Sequence, residues 1–155
     1  MKTKTKLFAS FVVVLMVFAC ADDTANKTKV LALETASSLV GTEWVLVDYK
    51  NTPLDQSLRN RSTLKFSEGP SENAVNVSGR SFINSYNGKF EIDEKGNVTS
   101  AEGFMATKMG GSILDMQAEM FYFEKLGKVT AFEIDKNDQL MLYFDNDEVG
   151  FFTKK

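Results

Sequence analysis

The chain has 155 residues, with 18 basic and 21 acidic side chains, no histidine and one cysteine. That composition excludes Ser-His and Cys-His nucleophile pairs and zinc sites built on those ligands. A net charge of −3 and 43% hydrophobic residues suit one packed core and speak against nucleic-acid binding.

Lys2, Lys4 and Lys6 form a short basic region, and the thirteen residues Leu7 to Ala19 carry no charge. As a helix that stretch spans only about 20 Å, short for a bilayer crossing and typical of a signal peptide's apolar region. Val17-Phe18-Ala19-Cys20 resembles the bacterial lipobox, with Phe18 larger than the small residue usual there. The sequence therefore predicts a lipoprotein signal peptide over residues 1–19 and Cys20 as the lipid-bearing first residue of the mature chain. Acyl chains of the palmitate kind contribute about 0.8 kcal/mol per buried methylene, so several chains on one cysteine anchor it stably. Cleavage removes three lysines and no acid, leaving 15 basic against 21 acidic residues, net −6. The expected location is the cell envelope, at the outer membrane on its periplasmic or surface face. The expected partners are the membrane, through Cys20, and an envelope protein of unknown identity.

Residues 20–38 read as the lipidated cysteine and a tether. As a flexible coil its ends would lie on the order of 23 Å apart, and Val30, Leu31 and Leu33 can form a turn or dock on the domain. Asp23-Thr24-Ala25 resembles a short O-glycosylation acceptor, although a solvated spacer is the favoured reading.

From Leu39 to Lys155 the pattern is that of a β-rich domain. Strands are predicted at Trp44–Tyr49, around Leu64 and Phe66, around Val75 and Val77, at Tyr86–Asp93 and at Val98–Ser100. A polar loop spans Asn51 to Asn60. One helix follows, with Ser112 as N-cap, Asp115 closing a capping box and Gly127 ending the run. Ile113, Met116, Met120, Phe123 and Leu126 mark its core face, and Leu114 and Phe121 widen it. Such a Met-rich face is read as core filling rather than as a cofactor pocket. Three further strands, Val129–Asp135, Leu140–Phe144 and Val149–Phe152, join through tight polar turns as an antiparallel meander. The fold class is mainly β (α+β): a strongly curved antiparallel sheet or barrel of about eight strands with one helix.

Three segments then point to a family: Leu39-Val40-Gly41-Thr42-Glu43-Trp44-Val45-Leu46, Val77-Ser78-Gly79 leading to Asn84-Ser85-Tyr86-Asn87-Gly88-Lys89-Phe90, and Ala106-Thr107-Lys108-Met109. With Glu119 to Leu126 and the Leu140-x-Leu142 strand, they resemble the META domain of HslJ-like envelope proteins over residues 39–153. The resemblance implies a lipocalin-like barrel with one helix, in proteins tied to envelope stress or drug tolerance without an established catalytic activity. Members often carry one cysteine before the asparagine of the first block and another after the second block. Here Ile83 and Gly110-Gly111 stand at those places, so a cross-link worth about 2–4 kcal/mol is absent or replaced by apolar packing.

The remaining chemistry is sparse. Asp93-Glu94, Asp135-Asp138 and Asp145-Asp147-Glu148 sit at turns, where carboxylates cap backbone amides. Asp145-Asn146-Asp147 lacks the full ligand spacing of a calcium loop. Lys108 with Gly110-Gly111 reads as a hinge in preference to an anion site. Trp44, Gly79, Asn84, Tyr86 and Gly88 are singled out as the structural motif. Gly79 and Gly88 are expected to supply unusual backbone geometry, and Asn84 to satisfy buried backbone groups. The expectation is a non-catalytic envelope lipoprotein without cofactor or metal. The alternative is a barrel that binds a small apolar ligand among its Phe and Met side chains.

Overall fold

The computed structural model describes residues 36–93 and 97–155. The signal peptide, Cys20 and the tether up to residue 35 lie outside the described residues, as do residues 94–96 of one predicted turn. The elements run β1 (Glu43–Tyr49), β2 (Thr63–Glu68), β3 (Ala74–Arg80), β4 (Ser85–Ile92), β5 (Val98–Ala106), α1 (Ile113–Leu126), β6 (Val129–Ile134), β7 (Gln139–Phe144) and β8 (Val149–Lys154). They form one antiparallel sheet in the order β5-β4-β3-β2-β1-β8-β7-β6. The end strands β5 and β6 come alongside one another, so the sheet is a nearly closed barrel.

Alternation builds the core. Trp44 and Leu46, Leu64 and Phe66, Val75 and Val77, and Leu140 and Leu142 are buried at every second position of their strands. Each such side chain contributes about 1.5–3 kcal/mol by leaving water. Residues 36–39 are helical, and Ala36 and Leu39 join the same cluster. The Trp44 indole N–H donates to the Thr42 hydroxyl at 2.7 Å, and that hydroxyl donates to the Leu39 carbonyl. The predicted polar loop is organised by carboxylates. Asp48 accepts from the Leu54 amide at 2.7 Å, Glu148 accepts from the Asn51 amide at 2.8 Å, and Leu58 turns inward.

Two expectations need correction. The strand predicted at Val98–Ser100 continues to Ala106. At Gly103 (φ 71°) the register against β4 shifts between Asn87 and Lys89, and this bulge interrupts the alternation by which a strand is recognised. The helix lies where expected, between N-cap Ser112 and Gly127, but its face is wrong. Ala118, Tyr122 and Leu126 are buried, whereas Ile113 is 72% exposed, Met120 69% and Met116 46%. Leu114, expected to be covered, is also exposed. The helix is apolar nearly all round, so hydrophobicity alone could not choose its inward side.

The direction of each strand places α1. β1, β3, β5 and β7 finish at one end of the barrel, where β2, β4, β6 and β8 begin. The connection from β5 to β6 carries α1 across that end.

Candidate functional site

The densest polar arrangement among the described residues lies where α1 meets the turn between β3 and β4. Ser81 and Asn84 are buried in that turn. The turn is closed by the Ser81 amide donating to the Asn84 carbonyl at 2.7 Å. Into it α1 extends Glu119. One carboxylate oxygen accepts from the Asn84 amide at 2.8 Å, the Ile83 amide at 3.1 Å and the Ser81 hydroxyl. The other accepts from the Asn84 side-chain Nδ2 at 2.5 Å. Asn84 then reaches a third segment: its Oδ1 accepts from the Met109 amide and the Thr107 hydroxyl, both at 2.7 Å. Burial pushes the Glu119 pKa up, but the bonds from Ser81, Asn84 and Ile83 outweigh it and hold the carboxyl below its ordinary value. The carboxylate's acceptor positions are taken by the chain itself, so the arrangement fastens α1 and the segment after β5 to the β3–β4 turn.

Below it lies a knot of phenols. The Tyr86 and Tyr122 hydroxyls meet at 2.7 Å, and Tyr86 donates to the Thr63 carbonyl at 2.9 Å. The Tyr122 ring stands edge-on to Phe82 and Tyr86. Burial drives the Tyr49, Tyr86 and Tyr122 pKa values upward, so all three stay protonated. The Tyr49 hydroxyl and the Ser62 hydroxyl are buried and find no hydrogen-bond partner among the described residues.

The structure places the predicted motif residues as follows. Trp44 is fully buried in β1, at a distance from the Glu119 cluster along the chain and in the core, with Lys154 over its ring. Tyr86 and Asn84 belong to the phenol knot and the Glu119 cluster respectively. Gly79 and Gly88 are required for a reason other than the one expected, since neither has a positive φ. A β-carbon at Gly79 would stand 2.0 Å from the Thr63 carbonyl oxygen, and one at Gly88 2.6 Å from the Phe104 ring. Close approach, not unusual backbone geometry, demands glycine there. Cys20 lies outside the described residues. Glu119 was missed as a site residue. Its signal was the row Asp115, Ala118, Glu119, Tyr122 and Leu126, which shares one helix side but mixes acids with apolar residues.

At the turns, carboxylates hold backbone amides. Asp93 accepts from Asn97, Asp135 from Asn137 and Gln139, and Glu148 from Asn51. Among the described residues no group of three or more His, Cys, Asp or Glu side chains is arranged to hold a metal ion.

Ile83 and Gly111 are neighbours in space. A β-carbon on residue 111 would lie 2.5 Å from Ile83 Cδ1 and 2.9 Å from its Cγ1. Gly111 is therefore explained by packing against Ile83 and not by a hinge. The Ile83 β-carbon, one bond beyond Cγ1, is within about 4.4 Å of that point, inside the reach of a disulfide. Ile83→Cys with Gly111→Cys, in a Cys20→Ser background, is expected to oxidise spontaneously. Closing a loop of this length contributes about 3.6 kcal/mol, and losing the Ile83 side chain offsets roughly 1–2 kcal/mol of that. The oxidised variant should melt several degrees above its reduced form in a calorimetric scan, and a pair that stays reduced in air would contradict the placement.

The fold and this cluster together define a class: a nearly closed antiparallel barrel whose open end is crossed by one helix, fixed by the contact of a half-buried carboxylate with a buried asparagine. The chain belongs to the META domain family, whose sequence model matches residues 37–155. Its architecture is similar to a solution structure of a protein from Burkholderia xenovorans, at 23% identity and a TM-score of 0.61 over 79% of this chain and 88% of that one. A second solution structure is similar at 19% identity and a TM-score of 0.53, over 75% of this chain and 92% of that one. No curated protein matches the chain in sequence.

Proposed function

We propose that this META-domain chain is a non-catalytic envelope lipoprotein, held by acyl chains on Cys20, that contributes to envelope stress tolerance through protein or envelope contacts. The observation that supports the reading best is the commitment of Glu119. This carboxylate lies beside Asn84 and Ser81, the arrangement most like a reactive centre, and it spends its acceptors on its own chain. Reproducible turnover of a hydrolase or transferase substrate, abolished by one side-chain change, would contradict it.

A second reading, the small-ligand barrel, draws on the buried Tyr49 and Ser62 hydroxyls, which have no hydrogen-bond partner among the described residues and suit a polar group on a guest. Against it stand Trp44, Phe66, Phe90, Tyr122 and Phe152, which occupy one another's interior space. Heating the purified protein with fatty acids, quinones and apolar drugs separates the two. A filled barrel is expected to melt at the same temperature throughout. A ligand at 100 times its dissociation constant would add about 2.7 kcal/mol, several degrees for a domain of this size, and would promote the second reading.

A further inference from the structure

Five methionines follow Cys20 in the sequence, and four of them are exposed at one end of the barrel. Met105 and Met109 are 68% and 56% exposed, and Met116 and Met120 are exposed as well. Methionine is ordinarily among the residue types most often buried. Met105 is the last residue but one of β5, which finishes at the α1 end. Met109 is held there by Asn84, whose Nδ2 donates to its carbonyl at 3.3 Å and whose Oδ1 accepts from its amide. Asn84 also grips Glu119, so Met109 lies beside the stretch of α1 that carries Met116 and Met120 one turn apart. The other oxidisable side chains are less accessible. Trp44, Tyr49, Tyr86 and Tyr122 are buried, and Met141 and Tyr143 are half-buried on the barrel wall. The chain has no histidine, and its one cysteine is Cys20, the proposed acyl site. Thioethers thus face solvent at the α1 end, while most of the electron-rich rings are kept inside.

We propose that Met105, Met109, Met116 and Met120 form a reversible oxidation site whose oxidant is hypochlorous acid. The thioether sulfur takes chlorine from HOCl with release of hydroxide. Water then adds at sulfur, chloride leaves, and two protons are lost, one of them to that hydroxide. The net change is oxidation of sulfur by two electrons to the sulfoxide, reduction of the chlorine to chloride and release of one proton. Each step needs only an accessible sulfur lone pair and water, which exposure supplies. A sulfoxide is polar and chiral, and in a core it disrupts packing. Here the four side chains already face water, so the barrel keeps its packing while the exposed flank of α1 turns polar. Methionine sulfoxide is reduced back by the two methionine sulfoxide reductases, one for each epimer, so the site is renewable. The inference goes beyond the anchored-lipoprotein reading and needs only the exposure of these side chains, not acylation of Cys20.

The test treats the purified full-length chain with rising doses of hypochlorous acid and locates the products by peptide mass mapping. Met105, Met109, Met116 and Met120 are expected to gain oxygen at doses about threefold or more below that needed for half-buried Met141. The melting temperature of the fourfold sulfoxide should stay within about 2 °C of the untreated protein, as for surface changes generally. The two methionine sulfoxide reductases with dithiothreitol should restore the original mass. A chain with Met105→Leu, Met109→Leu, Met116→Leu and Met120→Leu nearly conserves volume and should melt as wild type does. Its oxygen uptake should fall to that of Met141. In cells given a brief dose of the acid, the chain should be recovered with sulfoxide at these positions, and without it after recovery with translation blocked. Met141 oxidised as early as the four, or a fall of more than about 8 °C as their sulfoxides form, would overturn the proposal. So would sulfoxides that the reductases leave in place, or a chain recovered from treated cells with the four thioethers intact.

Discussion

Glu119→Ala is expected to lower stability by about 2 kcal/mol: the buried Ile83 amide loses its acceptor, at about 1–3 kcal/mol for an orphaned group, while the Ser81 hydroxyl, the Asn84 amide and Asn84 Nδ2 each lose one of two acceptors and fall back on the Asn84 carbonyl, the Ser81 hydroxyl and the Met109 carbonyl. For a domain of this size that is a fall of roughly 8 °C in melting temperature. The donors come from Ser81, Ile83 and Asn84, so α1 and the β3–β4 turn should loosen together. Hydrogen exchange should show faster exchange at both. Glu119→Gln keeps the shape but presents a donor where an acceptor is needed, and is expected to recover only part of the loss. The two proteins should also differ with pH. The Glu119 pKa is depressed in the folded chain, so its contribution is fully present above the ordinary value of 4.5 and is lost as the pH falls through the folded value. The stability gap between wild type and Glu119→Gln should therefore be constant near neutrality and narrow below pH 4.5. A gap independent of pH down to strong acid would contradict the bonding described.

Tyr122→Ala should cost more. The side chain is 1% exposed and stands edge-on to Phe82 and Tyr86. Truncating a fully buried aromatic removes its transfer energy and leaves a cavity, together about 3–5 kcal/mol. Tyr122→Phe keeps the rings packed and loses the 2.7 Å contact with the Tyr86 hydroxyl and a long 3.5 Å one to the Thr63 carbonyl, so about 1 kcal/mol is expected. Because Tyr122 is the side chain with which α1 enters the barrel, Tyr122→Ala should also bind a hydrophobic dye that wild type excludes. Denaturant titration of the three proteins measures the series. Equal losses for the alanine and phenylalanine variants would mean that the hydroxyl, not the ring, holds the helix.

These two residues mark where the sequence was legible and where it was not. The strands were readable because alternation is written in consecutive residues: Leu64 and Phe66 against Thr63 and Lys65 need no knowledge of the rest of the chain. The helix was readable for the same reason, since Ser112 and Asp115 cap it within one turn. Its orientation was not. Ile113, Met116 and Met120 outrank Ala118, Glu119 and Tyr122 in hydrophobicity, and the partners that reverse the ranking are 35 to 38 residues away. Only the tertiary contact makes Glu119 an inward residue. The second half of β5 was hidden by the bulge at Gly103, and Gly79 and Gly88 were recognisable as special while the atoms that make them so, Thr63 and Phe104, lie on neighbouring strands. The contact between Ile83 and Gly111 was suggested only by the family resemblance, and the packing of the two residues gives it a physical basis.

The proposal that this META-domain chain works as a lipid-anchored envelope protein rests first on Cys20, and fatty-acid labelling tests it most directly. Cells producing the wild-type chain and Cys20→Ser would be grown with labelled palmitate, and the purified proteins weighed by mass spectrometry. The expected result is a labelled wild-type protein that begins at an acylated Cys20, and an unlabelled Cys20→Ser protein that retains residues 1–19. A wild-type chain that carries no label, or a Cys20→Ser chain labelled as strongly as wild type, would contradict the account.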